Sequence, residues 1–209
     1  NPLSGVSTSL AAWYRFDETS GAAASNAVTN AYAGTLLNFA GTSTSGWTAD
    51  GRLGGALAFD GSDDWVRIAQ NPLLLTGGAF TVSAQVWLDG SCTSDWPSAI
   101  SDMEVPFWNG YDMGFDGEHQ AYVQMGCCSM IQDSTTYTNE WVWETLEYDG
   151  SNLRLYVSGV LVGAPTGTSF VVATNGFIAI GDNPNCGYSQ HWKGRIDDVR
   201  IYRGALGAN

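Results

Sequence analysis

The chain has 209 residues, 44% of them hydrophobic, enough for one large core and too many for wholesale disorder. Only 14% are charged, while 26 are glycine and 12% aromatic, a composition that suits strands and turns and suits helices poorly. Acids outnumber bases 21 to 8, and the net charge of −13 repels phosphate backbones and anionic membranes, so nucleic acid and membrane insertion are excluded as expected partners.

The strand signals come at regular spacing. From Leu10 to Phe16, Ala12, Tyr14 and Phe16 share one face, with Trp13 and Arg15 on the other. Ala56–Phe59 and Trp65–Ile68 flank an acidic turn made of Asp60, Gly61, Ser62, Asp63 and Asp64. Phe80, Val82, Ala84, Val86 and Leu88 form a strict period-two stripe opposite Thr81, Ser83, Gln85 and Trp87. Trp141–Tyr148 turns at Asp149-Gly150 into Leu153–Val157, and Ser158-Gly159 makes a second tight turn into Val160–Val162. Phe177–Ile180 and Ile196–Tyr202 complete the set, which predicts a single all-β antiparallel sandwich over residues 1–209. Between the strands, Ser20–Ala33, Ala40–Gly55 and the long stretch Gly90–Thr138 read as loops, the last rich in aromatic residues, acids and cysteine.

The four cysteines are Cys92, Cys127, Cys128 and Cys186. No Cys-x-x-Cys pair or Cys/His spacing is present, which disfavours zinc. An even number in Gly-rich segments points to two disulfides in an oxidising compartment, against the alternative of four reduced thiols. A bond between adjacent residues closes a small strained ring, so Cys92 and Cys186 are each expected to pair with one member of the doublet. The chain begins at Asn1 without methionine, as a mature or excised piece of a larger extracellular or cell-surface protein would.

Several segments add up to a family. The run from Leu10 to Gly21 (LAAWYRFDETSG) resembles the opening strand of laminin-G-like domains of the concanavalin A-like lectin/glucanase superfamily. Gly54–Val66, Phe80–Ala84, Tyr148–Val162 and Gly194–Leu206 are similar to its later landmarks, in the same order. The resemblance implies two curved antiparallel sheets of jelly-roll type, ligand on the concave face or its rim loops, and frequent structural calcium. One departure stands out: Trp141-Val-Trp-Glu-Thr145 puts an acid, Glu144, where an apolar residue is usual.

Calcium takes six to eight oxygens in flexible geometry, which Asp-bearing turns can supply. Asp17, Asp60, Asp63, Asp64 and Asp197 are the candidate ligands, with Asp17 and either Asp197 or Asp198 brought together if the first and last strands are neighbours. Ion pairs from Arg15, Arg195 or Arg200 are the competing use of these acids. The segments around the cysteines carry Trp96, Trp108, Tyr111, Tyr188 and Trp192, whose rings offer flat faces for the C–H surface of a sugar. Asp102, Glu104, Asn109, Asp112 and Gln190 are the polar partners expected to bind hydroxyls.

Catalytic signatures are missing. The Glu-x-Asp-x-x-Glu arrangement of the superfamily's glycosidases does not occur, and neither does a nucleophile elbow or a phosphate loop. The expected function is non-catalytic recognition of carbohydrate through disulfide-stapled aromatic loops, with structural calcium. Two alternatives remain: an adhesive tip domain of a surface or fibre protein that binds glycan or protein on another cell, and a polysaccharide hydrolase or lyase.

Overall fold

The alternating stripe from Phe80 to Leu88 lies in the middle of a sheet, with antiparallel partners on both sides. A computed structural model describes residues 10–39, 45–69, 78–104, 108–174, 176–185 and 190–207. Among them the chain forms strands and no helix. In order these are β1 Leu10–Tyr14, β2 Ala23–Ala24, β3 Gly34–Leu37, β4 Trp47–Thr48, β5 Ala56–Asp60, β6 Trp65–Ala69, β7 Phe80–Leu88 and β8 Ser98–Ser101. There follow β9 Tyr111–Phe115, β10 Gln120–Met125, β11 Ser129–Thr136, β12 Trp141–Tyr148, β13 Asn152–Val157, β14 Val160–Gly167, β15 Phe177–Ile180 and β16 Lys193–Arg203.

The strands divide between two antiparallel sheets. The first runs β14-β13-β12-β7-β16-β5-β4, with β1 also paired to β16; the second runs β11-β10-β9-β8-β15-β6-β3-β2. Their facing surfaces make the core, where Val82, Ala84 and Val86 of β7 and Ile196 and Ile201 of β16 meet Tyr111, Met113 and Phe115 of β9 and Val123 and Met125 of β10. This is the expected sandwich, and its inward faces follow the period-two pattern. Ser158 and Gly159 have φ of 49° and 82°, the two positive values that a type I′ hairpin between β13 and β14 requires.

The first and last strands pair, Trp13 opposite Arg200. On the solvent side of the first sheet the Arg195 guanidinium lies 4.0 Å from the Trp87 ring centre, and Arg200 lies 5.0 Å from Trp13 and 5.1 Å from Trp143. These stacked cations half-bury the tryptophans without placing them in the core.

The three expected loops are corrected: Ser20–Ala33 and Ala40–Gly55 carry the short strands β2 and β4, and the longest departs most. The stretch Gly90–Thr138 carries four strands, β8 to β11, which form one whole end of the second sheet. Both faces of β8 and β9 are covered, so acids, serines and aromatics alternate there with core residues, and the apolar/polar contrast that marks a half-exposed strand is lost.

Candidate ligand-binding site

Because Tyr111, Met113 and Phe115 point into the core, Asp112 and Gly114 between them face away from the first sheet. The register of β9 and β10 sets Gln124 opposite Asp112 and Tyr122 opposite Gly114, and β11 adds Met130 opposite Gln124. Trp96, from the segment before β8, packs edge-on against Tyr122, with ring centres 5.1 Å apart at 88°. Trp108 and Gln190 close the sides. Together with Cys127 and Cys128 these residues line a cleft of about 400 Å³, within the range of small-ligand sites.

The floor is polar and buried. Ser98 Oγ donates to Asp112 Oδ1 at 2.5 Å, and the Tyr122 hydroxyl donates to Oδ2 at 2.7 Å. Burial pushes the Asp112 carboxyl up to about 7, against these two hydrogen bonds and the Met113 N–H, which favour its charged form; the nearby Asp182 adds to the rise. Asp182 itself is raised by burial, with His191 opposing, and its Oδ2 stands 3.1 Å from His191 Nδ1. Behind the floor, in the core, lies Glu144 of β12. Burial first, then Asp112, holds its carboxyl well above the usual range, while the backbone N–H of Gly114 opposes. The acid that departs from the family pattern is thus a core residue beneath the cleft.

The cysteine pairing differs from the expectation. Cys127 is joined to Cys128, and Cys92 is a buried free thiol. The doublet occupies the turn between β10 and β11, just after Gly126, whose φ of 62° is in the left-handed region that glycine favours. Cys186, like Tyr188, lies outside the described residues. No bond therefore ties the doublet to Cys92, and the cleft is held by sheet register and side-chain packing.

The remaining expected ligand residues divide clearly. Trp96, Trp108 and Gln190 line the cleft and Asp112 supports it from below. Tyr111 is core, 5.4 Å from Phe80, and Trp192 is fully buried 5.6 Å from Phe115. Asp102 is fully buried beside Tyr111. Glu104 fastens a loop: it accepts from Asn109 Nδ2 at 3.0 Å and from the Thr174 N–H at 2.6 Å. Tyr122, Gln124 and Met130 were not singled out from sequence. The alternation of Ala121, Val123 and Met125 with Tyr122 and Gln124 was the available signal.

The candidate metal ligands fall into two groups. Asp60, Asp63 and Asp64 place carboxylate oxygens within 4.8 Å of one another. Asp64 is raised to about 6, by burial and by Asp60 and Asp63, although the Asp60 N–H donates to it. Lys193 sits opposite Asp60 across β16 and β5, so Asp197, four residues further on, is roughly 13 Å along the strand. Asp197 instead accepts the N–H groups of Arg52 and Leu53 at 2.9 and 2.8 Å, and Asp17 pairs with Arg15 at 2.8 Å.

Among solved structures the chain is similar to domain 4 of an extracellular arabinanase from Geobacillus stearothermophilus in complex with arabinotriose, at 22% identity and a TM-score of 0.73, covering 96% of this chain and 95% of that one. It is also similar to the binding domain of Paraclostridial Mosquitocidal Protein 1 (16% identity, TM-score 0.73, 97% of this chain and 51% of that one). A sialidase from Trypanosoma rangeli matches at 14% identity and a TM-score of 0.70, over 96% of this chain and 32% of that one. At these identities the likeness concerns the fold. Among curated proteins none matches the sequence significantly. The family model described as concanavalin A-like lectin/glucanases superfamily, of laminin-G type, matches residues 60–209. With that match over most of its length, and with two antiparallel sheets stacked as a sandwich, the chain belongs to the concanavalin A-like lectin/glucanases superfamily.

Proposed function

We propose that this is a non-catalytic carbohydrate-binding domain that works outside the cell and takes a short oligosaccharide into the cleft between Trp96, Trp108 and Tyr122. The observation that carries the reading is a cleft of about 400 Å³ that sets aromatic walls beside Gln124 and Gln190. Flat apolar faces and amide groups side by side are what a sugar ring requires. The structural likeness to an arabinanase domain in complex with arabinotriose supports a neutral oligosaccharide. Asp112 favours binding over catalysis, because both its oxygens are engaged by Ser98 and Tyr122. A general acid needs a proton free to reach a glycosidic oxygen. An exposed disulfide suits an oxidising compartment.

A structural calcium ion belongs to the same proposal. Asp60, Asp63 and Asp64 supply three converging carboxylates, and a cation there would offset the burial that chiefly raises Asp64 and the repulsion from Asp60 and Asp63 that adds to it.

The test is an array of neutral oligosaccharides, arabinotriose among them, probed with the wild type and with Trp96→Ala. Wild-type protein should be retained and leave its ligand uncleaved, and Trp96→Ala should bind roughly tenfold more weakly. Silence across the array would overturn the carbohydrate reading in favour of an adhesive domain for protein, and cleavage would make it an enzyme.

A further inference from the structure

The bond between Cys127 and Cys128 does little for the fold as a whole. A disulfide stabilises mainly by closing a loop in the unfolded chain, and adjacent residues close almost none. The turn that carries it is anchored by other means: the Gly126 N–H donates to the Gly110 carbonyl at 3.1 Å, and Gln124 Nε2 donates to the Gly126 carbonyl at 3.0 Å. What the bond does fix is the shape of two consecutive residues that line the cleft. Both are exposed and line the cleft together with Met130 and Trp108. Closed, they present two bonded sulfurs, a polarizable apolar surface with no S–H donor. Opened, they are two rotatable thiols.

We propose that the Cys127–Cys128 disulfide is itself a ligand-contacting wall of the cleft, over which an apolar sugar face packs, and that opening it weakens the site. This rests on the carbohydrate reading above. The opening step is thiol–disulfide exchange with a dithiol. One thiolate of the reagent attacks a sulfur of the pair and breaks the S–S bond, forming a mixed disulfide. The second thiol then displaces it. Cys127 and Cys128 gain two electrons and two protons as thiols, and the reagent leaves as its own disulfide. Exposure of both cysteines gives the reagent its access. Buried Cys92 carries no bond to be opened. Freeing two side chains that binding must then immobilise costs affinity of roughly tenfold.

The experiment measures retention of the protein on the same oligosaccharide panel in three states: oxidised, reduced with dithiothreitol, and reoxidised. A Cys127→Ser/Cys128→Ser variant is run beside it, with circular dichroism to verify folding. The proposal expects about tenfold weaker binding after reduction, recovery on reoxidation, and a variant that binds like the reduced wild type in every state. Equal binding by oxidised and reduced wild-type protein, with the fold intact, overturns the proposal and leaves the carbohydrate reading standing. No binding by the oxidised protein to any sugar overturns both. The comparison within the wild type holds even if the variant does not fold.

Discussion

Tyr122 donates its hydroxyl to Asp112 Oδ2 at 2.7 Å, and the ring so fixed is the one against which Trp96 packs edge-on. A buried carboxylate thereby sets the position of an aromatic wall. Asp112 orients the cleft from beneath while Trp96, Trp108 and Tyr122 form its lining.

Tyr122→Phe removes the donor and keeps the ring. Asp112 retains Ser98 but loses one of its two side-chain partners in a buried site, which costs about 1–3 kcal/mol. Urea unfolding should show that loss, and near-ultraviolet circular dichroism should show Trp96 released from its fixed environment. An unchanged midpoint would mean that the Tyr122 hydroxyl bond contributes nothing to the floor.

The same carboxyl governs the response to pH. Asp112 titrates near 7 in the folded protein against 3.8 when free, so the native state holds more protons across that window. The associated stability is complete below the free value and is lost as pH rises through about 7; Glu144, raised well above its ordinary value, extends the loss upward. The melting temperature should therefore fall between about pH 5 and about pH 8, and Asp112→Asn should flatten that slope by removing on the order of 3 kcal/mol of the dependence. A wild type that gains stability over the same range would contradict the assignment.

Two tryptophans that look alike in sequence should behave oppositely. Trp192→Ala empties a fully buried site against Phe115 and should cost about 3–5 kcal/mol. Trp96 is 37% exposed, so Trp96→Ala should leave the unfolding midpoint within about 1 kcal/mol while weakening oligosaccharide binding. Calorimetric unfolding of both variants, set beside the binding data, separates core from cleft.

Addition of calcium should raise the melting temperature by several degrees, and chelation should reverse the rise, since an ion bound only to the native state stabilises it. Asp63→Asn should abolish the response because it removes one of the three converging carboxylates. Asp17→Asn should preserve it, since Asp17 pairs with Arg15 away from that turn. Indifference of the wild type to calcium would remove the ion from the proposal.

The sequence by itself determined the sandwich and the strands that are polar on one side. Phe80–Leu88, Trp141–Tyr148 and Leu153–Val157 are legible because apolar core residues alternate with polar residues or arginine-stacked tryptophans and leave a period-two trace. It also put forward Trp96, Trp108 and Gln190, which the fold brings to one cleft although Gln190 lies far along the chain from the two tryptophans. Only the tertiary structure could separate Trp96 from Trp192, since burial depends on which sheet face a ring meets and not on its neighbours in the chain. The strands β8 and β9 were hidden for a related reason: with both faces covered, acids and aromatics occupy buried positions and the apolar/polar contrast is lost. The bond between Cys127 and Cys128 was settled by the local conformation of the turn between β10 and β11, which composition and spacing do not reveal.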